Sequence, residues 1–169
     1  MTDLLIRPAV PADLDRVTEI EATCFPAAEA AGRETFRARI AAFTESFFVA
    51  EQEGRMIGFI DGCETDSPVI FDEMFHGIEH HKPGGANLAI FGLDVIPECR
   101  RRGIAARLME QFIEKARASG RERVILTCKK ALVSYYEKFG FVNEGRSASA
   151  HGGAIWYDMT LRFKVPARK

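Results

Sequence analysis

The feature that most constrains this chain is a junction near its middle. An apolar run, Leu88-Ala89-Ile90-Phe91-Gly92-Leu93-Asp94-Val95, passes through Ile96-Pro97 into Arg100-Arg101-Arg102-Gly103-Ile104-Ala105-Ala106 and then into an amphipathic stretch. The run is dense enough in apolar side chains to form a buried central strand. Beyond it Ile104, Leu108, Phe112 and Ala116 recur at i+4 steps, with Met109 and Ile113 beside them and Glu110, Glu114 and Arg117 between. That spacing predicts a helix with one apolar face, closed by Gly120. Strand, glycine turn and half-buried helix together select an α/β fold. They also set unpaired N–H groups and the positive end of a helix where an anion such as a diphosphate can sit. Gly103 and the small Ala105 let phosphate approach the backbone, and the adjacent arginines are permanently charged donors.

The flanking elements are simpler. Leu4-Leu5-Ile6-Arg7 predicts a short opening strand, and Pro11-Ala12-Asp13 starts a helix with Leu14, Val17, Ile20 and Cys24 at helical spacing, stopping near Phe25-Pro26. A second helix over Arg33 to Ala42 leads to a hairpin, Phe47 to Glu51 and Met56 to Ile60, about a Glu53-Gly54 turn. From Glu64 to Asn87 the pattern loosens, with Pro68, a helical turn around Phe71 to His80 and a Lys82-Pro83-Gly84-Gly85 breaker. A stretch of that length reads as a lid or binding loop. Arg123 to Cys128 predicts a strand, Ala131 to Phe139 a short helix capped by Gly140, and Phe141-Val142 and Ile155 to Phe163 the last strands. With no repeat or linker, the expectation is one domain over residues 1–164 and a loose tail from Val165 to Lys169.

Composition narrows the partners. The chain has 169 residues, 47% of them hydrophobic, enough to bury a core unaided. Its net charge of −1 provides no overall field for nucleic acid or an anionic membrane, so an anion site has to be local. Three arginines without an aromatic platform also fall short of a groove for a nucleic-acid strand. Met1-Thr2-Asp3-Leu4-Leu5-Ile6-Arg7-Pro8 is broken by charge and proline before a signal-peptide core can form, and no later apolar run approaches membrane-spanning length. Cys24, Cys63, Cys99 and Cys128 contain no C-x-x-C pair. The expectation is a cytoplasmic protein with reduced thiols, no membrane partner and no nucleic-acid partner; association into a homodimer is left open.

The stretch Leu93 to Met109, with Arg100-x-x-Gly103-x-Ala105 at its centre, resembles the acyl-CoA-binding motif of the GNAT N-acetyltransferase superfamily, and Ala131-Leu132-Val133-Ser134-Tyr135-Tyr136-Glu137-Lys138-Phe139-Gly140-Phe141 resembles its tyrosine helix. The resemblance implies an α/β GNAT acyl-CoA N-acyltransferase fold: a mixed, mostly antiparallel sheet splayed at the central strand, with flanking helices. It further implies acetyl-CoA as co-substrate, its diphosphate held by Arg100, Arg101, Arg102, Gly103, Ile104, Ala105 and Ala106, and its thioester positioned by the backbone of Leu93, Asp94 and Val95. Within the superfamily, Ile125 to Val133 and Cys24 to Ala31 resemble serotonin (arylalkylamine) N-acetyltransferases and polyamine-acetylating relatives. The chain departs from the serotonin enzymes on the central strand, where Ala89 and Phe91 stand in place of two histidines. A histidine–water proton relay therefore does not transfer.

Acetyl transfer to an amine needs a neutral nitrogen, a polarised carbonyl and a proton for the thiolate. Tyr136 is the expected acid, since a phenol of pKa ~10 is protonated at neutral pH; Tyr135 is a packing residue. Phe25, Pro26 and Glu29 are expected at the acceptor. The base stays open among His76, His80, His81, Glu29, Asp72, Glu73 and Glu79, whose carboxylates would also attract a cationic amine. The expected function is transfer of acetyl from acetyl-CoA to a small primary amine by direct attack in a ternary complex, with no metal. A protein or peptide amine, or a non-catalytic acyl-CoA-binding module, are alternatives. His76-Gly77-Ile78-Glu79-His80 also matches H-x-x-E-H, a zinc-hydrolase string that requires a stable helix under both histidines.

Overall fold

The apolar run that opened the sequence argument sits at the centre of the sheet. A computed structural model describes residues 3–164; the predicted tail, 165–169, lies outside the described residues. The elements are β1 (Leu5–Pro8), α1 (Leu14–Cys24), α2 (Arg33–Ala42), β2 (Phe47–Gln52), β3 (Arg55–Thr65), β4 (Asn87–Val95), α3 (Ile104–Ala118), β5 (Arg123–Cys128), α4 (Val133–Glu137), β6 (Val142–Arg146) and β7 (Tyr157–Arg162). They build one seven-stranded sheet in the order β1-β2-β3-β4-β5-β7-β6.

Every neighbouring pair is antiparallel except β4 and β5, which run parallel because α3 crosses over between them. That parallel pairing covers only Asn87↔Arg123, Leu88↔Val124 and Ala89↔Ile125. Beyond it the strands part, and the sheet opens as the splayed arrangement requires. A bulge contributes: Asp61 pairs with Gly92 and Gly62 with Ile90, so Phe91 is an extra residue on β4 that turns the strand.

The apolar stripes are buried as their spacing predicts. Leu108, Met109, Phe112 and Ala116 of α3 are fully buried, as are Val17 and Ile20 of α1. Phe36 of α2 meets Phe59 of β3 edge to face at 5.5 Å, which locks the α1–α2 pair over β3 and β4. Cys63, Cys99 and Cys128 are buried, Cys24 is half-buried, and all four thiols are free.

Some predicted boundaries move. The strand beginning near Met56 runs on to Thr65, and the expected Ala131 to Phe139 helix is a single 3-10 turn over Lys130–Leu132 followed by the five residues of α4. The predicted turn around Phe71 to His80 shrinks to a 3-10 segment, Asp72–His76. Gly77 is fully extended, at φ 177°, so His76 and His80 do not share a helix face, and the H-x-x-E-H expectation is overturned. Among the described residues no group of His, Cys, Asp and Glu is arranged to hold a metal ion, and no helix is long and apolar enough to cross a membrane.

Candidate active site

Where β4 and β5 part, a cavity of about 420 Å³ opens. Phe91, Gly92 and Leu93 of β4 form one side and Leu126, Thr127 and Cys128 of β5 the other. Tyr136 reaches it from α4, and Phe25, Pro26 and Glu29 line it from the segment after α1. The structure thus brings together the predicted acid and all three predicted acceptor residues.

Backbone alternation decides which β4 groups face the gap. Ile96 N–H donates to Ile57 O across the β3 ladder at 3.0 Å. Register then puts Asp94 opposite Phe59 in the same bonded phase, whereas Leu93 and Val95 turn their peptide groups away from β3. The Val95 carbonyl bears this out, accepting from Arg100 Nε at 2.9 Å and from Cys24 Sγ at 3.4 Å on the far side. Of the expected backbone donors, Leu93 lines the opening, while Val95 turns its peptide away from β3 but does not line the cavity. Asp94 does neither: its peptide belongs to the ladder with β3, and its side chain is buried.

The turn before α3 is built by two residues of positive φ, Arg101 at 64° and Gly103 at 78°. A side chain at Gly103 would meet open space, so glycine is needed there for the left-handed backbone. The first helical bond runs from Arg107 N to Gly103 O, which leaves the N–H groups ahead of Arg107 outside the helix ladder. The first turn of α3 contains no acidic residue. Arg101 and Arg102 are exposed, Ala105 and Ala106 half-buried, and Ile104 packs into the core at 4% exposure. Arg100 differs from expectation: its Nε is committed to the Val95 carbonyl, so it braces the strand–helix turn.

Tyr136 packs against Phe141 at 6.1 Å and Tyr135 at 5.3 Å, and burial, reinforced by Cys128, pushes its phenol pKa upward. It therefore holds its proton at any physiological pH. Burial also pushes the Cys128 thiol up to about 11, which makes it a poor nucleophile.

On the acceptor side, Glu29 Oε2 pairs with Lys129 Nζ at 2.9 Å, and its carbonyl meets His151 Nε2 at 3.0 Å. His151 stacks on Phe75 at 4.6 Å, and Trp156 Nε1 donates to the His151 carbonyl at 2.8 Å. Nothing in the sequence pointed to His151, which lies in an aperiodic stretch, and Trp156 was expected only as part of the last strand. Of the predicted base candidates, His76 lines the cavity. His80 instead packs on Phe71, Asp72 binds Ser149 and the Ala150 N–H, and Glu73 and Glu79 are exposed. His81 accepts from Glu64 N–H at Nδ1, and burial lowers its pKa.

A second group lies at the cavity floor, Glu21, Arg39, Asp61 and Asp94, all buried; the first three were not singled out in the sequence, and Asp94 was expected to act only through its backbone. Arg39 Nη1 pairs with Asp61 Oδ2 at 2.9 Å, yet burial outweighs the pair and holds the Asp61 carboxyl at about 6. One signal was available: Glu21 falls on the inward stripe of α1 between Val17 and Cys24, where an apolar residue is expected.

The parted sheet, with its parallel β4–β5 pair and glycine-turned helix beside the gap, defines the acyl-CoA N-acyltransferase class of α/β fold. Residues 14–141 match the acetyltransferase (GNAT) family, and the chain belongs to it. It is 29% identical over 117 residues to serotonin N-acetyltransferase of Mesocricetus auratus, a match covering 69% of this chain and 55% of that protein. The chain thus spans about half the length of this curated relative. Its fold is similar to the loading GNATL domain of CurA from Lyngbya majuscula, with TM-score 0.82, 15% identity, and coverage of 95% of this chain and 98% of that one. It is also similar to yncA, a putative acetyltransferase from Salmonella typhimurium solved with acetyl-CoA, with TM-score 0.71, 16% identity, and coverage of 99% and 98%.

Proposed function

We propose that the protein transfers an acetyl group from acetyl-CoA to a small primary amine, an arylalkylamine or a polyamine, by direct attack in a ternary complex. The observation that carries this is the gap between β4 and β5, where Leu93, whose peptide group turns away from β3, and Tyr136 line one cavity. Donors of this kind, aimed at the oxygen of a thioester, stabilise the charge that develops on attack; removing one such donor costs about 3 kcal/mol in well-studied acyl-transfer sites.

The N–H groups ahead of Arg107, with Arg101 and Arg102, hold the diphosphate at the positive end of α3. The amine nitrogen attacks the carbonyl carbon, the C–S bond breaks, and Tyr136 gives its proton to the departing sulfur. Phe25 and Pro26 supply an apolar wall for the acceptor and Glu29 a polar one. Support for an amine comes from the serotonin N-acetyltransferase relative, and support for acetyl-CoA from the yncA complex. The four free thiols fit a reducing compartment such as the cytoplasm.

The test is thiol release from acetyl-CoA across a panel of alkyl, arylalkyl and polyamines. Tyr136→Phe is expected to lower kcat by about 100-fold while calorimetry finds its affinity for CoA unchanged. Acetyl-CoA binding without turnover of any amine would make the protein a binding module instead.

A further inference from the structure

Three carboxylates meet a single cation at the cavity floor. Glu21, Asp61 and Asp94 are 6%, 0% and 1% exposed, and Arg39 is 3% exposed. Arg39 serves Asp61 Oδ2, and Ala31 N–H serves Glu21 Oε2 at 2.9 Å. Glu21 Oε1, Asp61 Oδ1 and both Asp94 oxygens are left without a protein partner. Three of these oxygens converge on one point: a Cβ built on Gly92 would stand 2.9 Å from Asp61 Oδ1, 3.2 Å from Asp94 Oδ1 and 3.7 Å from Glu21 Oε1. Gly92 has no left-handed φ to accommodate, so the missing side chain provides space. Both Gly92 and Glu21 line the cavity.

Three negative groups against one positive group cannot all ionise in so dry a place. Burial, then repulsion from Glu21, pushes the Asp94 carboxyl well above its ordinary range. Cys24 and Asp61 also face Asp94, and Arg100 faces Cys24. Glu29, the other carboxylate on the cavity, is already offset by Lys129.

We propose that Glu21, backed by Asp94 and Asp61 at the Gly92 notch, is the proton acceptor that neutralises the incoming ammonium group; this rests on the acetyl transfer proposed above. R–NH3⁺ gives one proton to the Glu21 carboxylate. The neutral nitrogen forms the N–C bond, the C–S bond breaks, and Tyr136 protonates the sulfur. The surplus proton on the new amide nitrogen restores Tyr136, and the proton on Glu21 passes to solvent. The sum is R–NH3⁺ plus acetyl-CoA giving the N-acetyl amine, CoA thiol and H⁺.

The test compares the best alkylamine of the panel with its trifluorinated counterpart, whose nitrogen is already neutral at pH 7. Glu21→Gln is expected to reduce kcat/KM for the alkylamine by about 100-fold and for the fluorinated amine by less than about threefold. Equal losses for both amines overturn the assignment. Should the Gln variant not fold, Glu21→Asp keeps a carboxylate at the notch, and any loss it shows has to fall on the alkylamine; a loss shared by both amines overturns the assignment equally. A wild-type enzyme that binds acetyl-CoA and acetylates neither amine overturns the transferase proposal and this one with it. A wild-type enzyme that turns over both amines, paired with an indifferent Glu21→Gln, overturns this one alone.

Discussion

Arg39→Met separates packing from electrostatics under the cavity, because the two depend differently on pH. Asp61, normally near 3.8, is held at about 6 by burial in the folded chain, so the native state binds its proton more tightly than the unfolded one. The contribution of Asp61 to stability therefore falls as pH rises from about 3.8 to about 6 and then levels off. Arg39 opposes the burial effect through its 2.9 Å pair with Asp61. Without it the native Asp61 carboxyl keeps its proton to higher pH, and its contribution goes on declining past 6 at about 1.4 kcal/mol per pH unit, whereas in wild type the Asp61 contribution stays flat there. The variant also loses the Arg39 Nη2 bond to Phe75 O at 3.2 Å and the guanidinium contacts with Phe36 and Phe91 at 5.4 and 4.9 Å. Met retains most of the stem, so that cost is about 2 kcal/mol and independent of pH. The expected gap is about 2 kcal/mol near pH 5.5 and about 4 kcal/mol near pH 7.5, in line with the loss of one partner from a buried pair. Urea unfolding at both pH values, with unchanged m, measures it. A gap of the same size at both would refute the reasoning.

Three further outcomes are expected. Gly103→Ala meets no steric obstacle but forces a side chain into φ 78°, so stability falls by about 1 kcal/mol, seen as a lower urea midpoint. Arg101→Gln with Arg102→Gln weakens CoA binding by about tenfold at low salt and by much less at high salt, because both arginines are exposed and screened; calorimetry at two ionic strengths reads this. Tyr136→Phe, assayed as above, lowers kcat without changing CoA affinity, and a matching fall in CoA affinity would recast Tyr136 as a packing residue.

The H-x-x-E-H string shows how a short pattern fails. His76, Glu79 and His80 have the right spacing for a helix, but Gly77 is extended and His80 packs on Phe71, so the histidines never converge. The string carries no information about whether its backbone coils. By contrast, Arg100-x-x-Gly103-x-Ala105 sits between two strongly periodic elements, and the left-handed turn it requires is present at Gly103.

By itself the sequence determined the features whose causes are local. The apolar stripe of α3, the run of β4, the glycine turn between them and the tyrosine segment after β5 are written in residues a few positions apart, where side-chain period and backbone freedom dictate conformation. Only the tertiary structure decided which peptide groups face the gap, since a bulge at Phe91 and a three-pair parallel contact set that phase. Only it joined Glu21, Arg39, Asp61 and Asp94, contributed by α1, α2, β3 and β4. Each reads alone as an ordinary charged residue, and the carboxylates acquire their chemistry when long-range packing strips them of water and leaves them one cation to share.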